Sequence, residues 1–351
     1  MTTETPLDAT VLIATFNRAS LLDETLGSLA VMPTSAARRW EVVIVDNNST
    51  DDTRAVVERH QRTFPVAVRY LFEAKQGRSS ALNTGIAAAG GRVIAFTDDD
   101  VRVAAGWLDA ACDALANEDA AGYAGGPVRP IWGAPPPPWL DLTRGDLWGT
   151  IAIQDHGSSV IGYEIAGKVP LGANMAVRRD VFERAGGFRE DLGRANGRFV
   201  MGQEVPEWLL RARAAGFTGT YVPRMEVHHH VPAGRLTKSY FRRWWTGKGV
   251  SRAMLERVQP RTELGLDLRT VPHVLGVPRY MYGSLLRDLA SMVRERLRGN
   301  VAAAFRHEMM VMFFRGYFLA RWNERRAGSR PARHPLSSDP QRTSNVVSTG
   351  R

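Results

Sequence analysis

The sequence predicts an α/β protein with a mostly parallel sheet flanked by helices, and three observations carry that expectation. Short apolar, β-branched runs alternate with segments of helical periodicity from residue 10 to about residue 117, the pattern of strands joined by right-handed helical crossovers. Several of these runs end on polar or acidic residues, as strands of an open sheet do where ligands bind beyond their carboxyl ends. One run, Val93-Ile94-Ala95-Phe96, leads through Thr97 directly into Asp98-Asp99-Asp100.

Residues 10–15 read as the first strand, followed by Asn17 and a helix over 20–30. Ser20 is there as an N-cap type, and Leu21, Leu22, Leu26 and Leu29 recur at helical spacing. Residues 41–45 form a second strand that opens into the polar loop Asp46-Asn47-Asn48-Ser49-Thr50-Asp51-Asp52, which then caps a helix over 53–62. A third strand covers 67–72. Gln76-Gly77-Arg78-Ser79-Ser80 opens a helix that Gly90-Gly91 stops. The strand at Val93 follows, then a helix over 105–117. No G-x-G-x-x-G follows the first strand and no G-x-x-x-x-G-K-[ST] occurs. The dinucleotide and P-loop readings therefore lose their main support.

The acidic triplet is the chemical centre of this pattern. Carboxylates packed so closely repel, and burying them unpaired is costly, so they must be solvated or hold a cation. Side chains of Asp98 and Asp100 leave an extended chain on the same side, as oxygen ligands to a hard divalent ion require. A solvated acidic turn is the plain alternative.

Farther along, Pro135-Pro136-Pro137-Pro138 lies between Trp132 and Trp139, a stiff loop whose tryptophans can pack or stack on sugars. Gly172-Ala173-Asn174-Met175-Ala176 reads as a tight backbone approach followed by a strand. A short helix over 178–185 ends at Gly186-Gly187-Phe188. Gly202-Gln203-Glu204-Val205-Pro206-Glu207-Trp208 opens a helix to residue 215, with Glu204 and Glu207 on one face. Near a helix N-terminus they can also serve simply as dipole partners. A strand over 219–222 precedes Met225-Glu226-Val227-His228-His229-His230, where the middle histidine faces opposite to its neighbours.

The 351 residues carry a net charge of +10, unevenly spread: residues 231–351 hold 23 Lys/Arg against 8 Asp/Glu, and residues 1–230 hold 23 against 28. An anionic partner is expected for the basic part. Cys112 is the only cysteine, which excludes an intrachain disulfide and suits a reducing cytoplasm. The first residues lack the basic and apolar regions of a signal peptide. No run of 18 apolar residues exists, since Arg315 interrupts the stretch 309–320. A cytoplasmic protein, either soluble or peripheral on the inner face of the cell membrane and not spanning it, is the expectation.

These motifs, in this order over residues 9–230, resemble the family-two inverting nucleotide-sugar glycosyltransferases of bacterial type. Ala14-Thr15-Phe16-Asn17 is similar to the first signature and Val45-Asp46-Asn47-Asn48-Ser49-Thr50-Asp51-Asp52-Thr53 to the second. Asn83-Thr84-Gly85, Asp98-Asp99-Asp100, Gly172-Ala173-Asn174-Met175-Ala176 and Gly186-Gly187-Phe188 resemble the next ones.

The resemblance implies the GT-A fold, a Rossmann-like mostly parallel sheet, here with a C-terminal helical extension. It implies a nucleotide-diphosphate sugar as donor and a glycan or lipid-linked acceptor in cell-envelope or exopolysaccharide synthesis. Thr15, Asn17, Asp46, Asn48, Arg78, Asp98, Asp99 and Asn174 are the implied nucleotide-sugar contacts, Asp46 receiving the base and Asp98 the ribose or a metal-bound water. Asp98, Asp100 and His229 are the implied ligands of Mn2+ or Mg2+, and a neutral imidazole suits Mn2+ better.

The chain departs from the family at Val205, which stands where an aspartate usually serves as base. Either Glu204 or Glu207 substitutes, the choice falling on Glu204 as base with Glu207 orienting the acceptor, or Gln203-Glu204 is the pair with one residue inserted after it. Two other readings are weighed: a non-catalytic sugar-nucleotide-binding protein, and a basic nucleic-acid-binding protein suggested by the pI of 10.2. No nucleic-acid module is visible, and the positive charge lies away from the motif-bearing loops.

The expected domains are a catalytic domain over 1–230 (nucleotide half 9–118, acceptor half 119–230), a helical extension over 231–326 and a disordered tail over 327–351. In the extension, residues 235–257 mix Lys238, Arg242, Arg243, Lys248 and Arg252 with Tyr240, Phe241, Trp244 and Trp245. That suits a helix lying on an anionic membrane or one packed on the catalytic domain. Helices over 285–297 and 301–326 follow, the second too apolar all round to stand free.

Overall fold

The central strand of the fold, β1 (Leu7–Thr15), keeps Ala9, Val11, Leu12 and Ile13 fully buried. Both of its faces are covered, which is why the run is continuously apolar rather than alternating. The structure, a computed structural model, describes residues 7–117, 121–166, 168–191, 203–258, 260 and 267–326. In chain order α1 (Ala19–Ala30), β2 (Trp40–Asp46), α2 (Thr53–Gln61), β3 (Val68–Phe72), α3 (Arg78–Ala88) and β4 (Gly91–Asp98) follow. The strands pair in parallel in the order β3-β2-β1-β4.

Two local details tie motif residues to this layer. Ser20 lies inside α1 rather than capping it; the Asp51 carboxylate accepts from Ala19 N at 3.0 Å and does that work from the neighbouring loop. A Cβ on Gly85 would stand 2.2 Å from Leu12, so α3 can press onto β1 only with glycine there. Asn83 donates to Phe188 O and accepts from Phe188 N, both at 2.8 Å, tying α3 to the Gly186-Gly187-Phe188 segment.

The second half adds β5 (Val101–Val103), α4 (Trp107–Ala114), β6 (Tyr123–Gly125), β7 (Val128–Trp132), β8 (Ile161–Gly162), α5 (Tyr163–Ala166), β9 (Asn174–Arg178), α6 (Arg179–Ala185), α7 (Glu204–Ala214), β10 (Gly219–Tyr221) and β11 (Val227–Val231). The main sheet continues β4-β9-β6-β10-β8, with β9 antiparallel to both β4 and β6. The parallel run therefore ends at β4, and the sheet is mixed beyond it. A smaller sheet, β5-β11-β7, stands beside the end of β4. In it His229 pairs with Val101, the residue after the acidic triplet.

The extension contains α8 (Lys238–Val258), the hairpin β12 (His273–Val274) and β13 (Val277–Pro278), α9 (Arg279–Leu297) and α10 (Val301–Arg326). Here α8 takes the packing role. Phe241 and Trp245 are buried, Arg242 Nε donates to Glu308 Oε1 at 2.6 Å, and Trp245 Nε1 donates to Thr150 Oγ1 at 3.1 Å. Trp139, from the proline-rich loop, packs its ring 5.3 Å from Phe241 and 4.6 Å from Phe305. It is half-buried and packs against the rings of the extension. The crossing of α8 and α10 is tight: a Cβ on Gly249 would lie 2.0 Å from Phe313 O, and one on Gly316 1.9 Å from Thr246 O. The expected tail over 327–351 lies outside the described residues, as does Gly202.

Candidate active site

The carboxyl ends of β1, β2 and β4 place their loops side by side. Thr15 closes β1, and Asn17 takes a left-handed turn (φ 52°). Its N–H donates to Ser49 Oγ at 2.9 Å while its Oδ1 accepts from Thr50 N at 2.7 Å, stitching the first loop to the second. Asn48 is also left-handed (φ 69°) and exposed. Asp46 is buried; it accepts from Ser49 N at 2.9 Å and from the Tyr70 hydroxyl at 2.8 Å. Burial and the Asp46 carboxylate push the Tyr70 phenol up to about 12, so it remains a donor. Asn47, not assigned from the sequence, donates to Glu73 O and Lys75 O and accepts from Gly77 N at 2.7 Å. It thereby sets the start of α3 and with it Arg78.

The acidic triplet is largely inside the protein. Asp99 and Asp100 are 5% and 6% exposed. The cation that sequence reasoning missed is Arg18, whose Nη1 donates to Asp99 Oδ1 at 2.9 Å and to Asp100 Oδ2 at 2.7 Å. Asp99 also accepts from Thr15 Oγ1 at 2.9 Å. This turns Asp99 inward, as a strut for the turn rather than a surface for ligand. Burial pushes its carboxyl up to about 6, with Asp100 and Asp98 adding to the shift and Arg18 opposing it.

Asp98, Asp100 and His229 converge: one candidate ligand atom from each lies within 4.8 Å of the others. His229 points in and is 3% exposed, while His228 and His230 on the same strand are half-buried or more open. Its Nε2 is 3.4 Å from Asp100 Oδ1. Burial lowers the His229 pKa, leaving the ring neutral, the form that ligates metals. Asp100 Oδ1 and His229 Nδ1 are buried without a hydrogen-bond partner, an arrangement that costs stability unless something polar enters. Two carboxylates and an imidazole with orphaned donor atoms fit a divalent ion. Arg235 stands at the rim, its Nη1 3.4 Å from His229 Nε2 and its Nη2 3.9 Å from Asp100 Oδ2.

The acceptor side begins at α7. Glu204 is 4% exposed; its Oε1 accepts from Arg78 Nη1 at 3.4 Å and its Oε2 has no partner. Arg78 Nη2 donates to Asp98 Oδ1 at 2.6 Å, so one guanidinium spans the donor-side and acceptor-side carboxylates. Burial works against its charge, yet Asp98 and Glu204 outweigh that and hold Arg78 above its ordinary pKa.

Two residues assigned from the sequence are committed elsewhere. Glu207 is buried and gripped by Arg211, which donates from Nε at 2.9 and 3.1 Å and from Nη2 at 2.9 Å. Asn174 is fully buried: it accepts from Trp107 Nε1 at 2.9 Å and donates to Pro127 O at 2.9 Å and Met225 O at 2.6 Å. With both N–H donors used, it is a tie beneath the site. Val205 packs in the core, 8% exposed.

The profile of glycosyl transferase family 2 matches residues 10–186, just over half of the chain, and takes in every donor-side motif. The chain belongs to glycosyl transferase family 2. This family-2 transferase is 29% identical over 248 residues to the succinoglycan biosynthesis protein ExoM of Rhizobium meliloti (strain 1021), covering 70% of the chain and 74% of that protein. It is 26% identical over 302 residues to the glycosyltransferase AglE of Haloferax volcanii, covering 85% and 90%.

Its fold is that of a mannosyltransferase, PcManGT, from Pyrobaculum calidifontis in complex with GDP-Man and Mn2+. The TM-score is 0.53 at 20% identity over 94% of this chain and 78% of that one. Residues 1–349 of S. aureus TarS in complex with UDP-GlcNAc give a TM-score of 0.51 at 15% identity, over 92% of each chain. The family-2 transferase thus has the GT-A fold and is an enzyme of glycosyl transfer. Glu204, His229 and Arg235 all lie beyond the stretch matched by the family profile.

Proposed function

We propose that this transferase moves a sugar, with inversion, from a nucleoside-diphosphate sugar to a hydroxyl of a glycan or lipid-linked acceptor, in building an exopolysaccharide or cell-envelope glycan. The single observation that carries the reading is the meeting of Asp98, Asp100 and His229 beside Arg78 and the unpartnered Oε2 of Glu204. The relative named for succinoglycan biosynthesis and the neighbours holding GDP-Man with Mn2+ or UDP-GlcNAc support the donor class and the pathway class. Residues 1–230 make up the catalytic domain and 231–326 its extension.

In this reading the acceptor hydroxyl attacks the anomeric carbon in line. The bond from that carbon to the phosphate oxygen breaks, and its electron pair leaves on the nucleoside diphosphate. Glu204 Oε2 takes the hydroxyl proton. Arg78 holds Glu204 Oε1 and leaves the buried Oε2 as the unpartnered oxygen. Asp46, Asn17 and Asn48 line the nucleotide loops, and Asp98, Asp100 and His229 would hold Mn2+ or Mg2+. Bound there, the ion offsets the charge of the diphosphate and assists its departure as a Lewis acid.

No nucleic acid is among the proposed partners. The basic charge lies in the extension and the site is ringed by carboxylates. A panel of nucleotide sugars, assayed for sugar release with and without Mn2+, tests the reading. Release from one donor that depends on Mn2+ is expected; no release and no binding from any donor would count against it.

A further inference from the structure

The face of α9 turned away from the protein carries an apolar stripe bordered by arginine. Leu286, Ala290, Val293 and Leu297 stand at i, i+4, i+7 and i+11, one side of a 3.6-residue helix. Leu286 is 66%, Val293 51% and Leu297 84% exposed. The opposite side is used: Met281 is buried with the α8 and α10 side chains, and Asp288 pairs with His307 of α10 at 2.8 Å. Leu289 and Ala290 continue the stripe as a shallow apolar groove with Arg294 and Arg298 at its rim. Across the segment 279–298 there are five arginines against Asp288 and Glu295. Glu295 is shared by Arg294 and Arg298, at 3.5 and 3.3 Å, so the rim stays positive.

We infer that this face is a docking surface for an anionic lipid bilayer. It places on α9 the contact that was one of two roles suggested by the sequence for α8, whose Phe241 and Trp245 are buried. The charge pattern excludes the nearer occupants. A second copy laid on the stripe would bring Arg287, Arg294 and Arg298 against their own kind, and like charges oppose such pairing. Residues 327–351 carry Arg330, Arg333, Arg342 and Arg351 against the single Asp339, so that segment is repelled as well. An anionic surface is attracted by the same rim. The stripe is aliphatic and its groove shallow and open, as suits acyl chains. Arginines flanking it can lay their stems along the apolar strip and keep their charges at headgroup level. The inference stands whatever the acceptor of the transferase is.

Co-sedimentation of the full chain with vesicles tests it. Wild type is expected to pellet with phosphatidylcholine vesicles containing about 30 mol% phosphatidylglycerol and not with phosphatidylcholine alone, with added salt weakening the contact. Leu286→Gln/Val293→Gln/Leu297→Gln should lose roughly tenfold or more in vesicle affinity. Arg287→Gln/Arg294→Gln/Arg298→Gln should lose about fivefold per charge. All six positions are exposed, so both variants should keep the wild-type thermal melt. Arg54→Gln, on α2, serves as the control of equal charge change per site and should bind as wild type. Failure of the wild type to pellet with the anionic vesicles, or wild-type binding by both triple variants, would overturn the inference. So would a protein that is dimeric in solution and becomes monomeric in the apolar variant, because the face would then be a contact between copies.

Discussion

His229 Nε2 stands 3.4 Å from Asp100 Oδ1 although the two residues are far apart along the chain. The contact is set by backbone: β11 pairs antiparallel with β5, and His230 N donates to Asp100 O at 2.9 Å. Substituting Asp100 by Asn removes a charged ligand from this pair while leaving the pairing intact. Mn2+ at about 100 times its Kd should stabilise wild type by about 2.7 kcal/mol, a rise of several degrees in Tm. Asp100→Asn should show none of it. Transfer that continues unchanged under saturating EDTA would remove the ion from the reaction.

Glu204 and Glu207 sit one turn apart but predict opposite phenotypes. Glu204→Gln keeps shape and loses the proton acceptor. Turnover should fall by two or more orders of magnitude, with the melt and donor affinity near wild type. Glu207→Gln leaves Arg211 facing a neutral amide, and breaking a buried pair of this kind costs about 3 kcal/mol. A lower urea midpoint, with residual turnover per folded molecule, is the expected result. The reverse pattern would move the base to Glu207.

Gly316→Ala tests whether the extension is held by the close crossing of α8 and α10. The new methyl group would meet the Thr246 carbonyl at 1.9 Å, and the helices must part. Overpacking of this sort costs about 1–3 kcal/mol, which should appear as a lower thermal midpoint. An unaltered melt would mean that the two helices separate freely.

Cys112 is buried in α4, and burial raises its thiol from 9.0 to about 12. At about pH 8 a thiol reagent should react slowly with the native protein and at once with the denatured chain. The sign of the pH effect follows. Below 9 both states keep the proton; as pH rises from 9 toward 12 the unfolded chain ionises first, and this contribution to stability is lost. Rapid labelling of the native state would contradict the burial.

Much of the donor side could be read from residues in order. Asp98 and Asp100 end a strand, and His229 alternates inward on another, so period and position alone proposed their meeting. Arg18, Arg235 and Asn47 could not be read that way. Each gains its role from a partner far along the chain, and a lone cation or amide carries no period. Asn174 misled because its amide looks equally able to bind a sugar or two carbonyls; only the arrival of Pro127, Met225 and Trp107 decides. Glu207 was readable: Arg211 follows it by four residues on the same helix, the spacing of an ion pair. The antiparallel β9 escaped because a short apolar run has no direction until it is paired.

The strand ladder that joins β11 to β5 also bears on ion size. Asp100 and His229 hang from paired backbone, so their Cα positions cannot move apart without breaking ladder hydrogen bonds. Calcium seeks six to eight oxygens at about 2.3–2.6 Å and tolerates loose geometry. A narrow cradle with one nitrogen and few oxygens answers a smaller ion better. Strand register, as much as the two side chains, thus sets how far apart Asp100 and His229 stand.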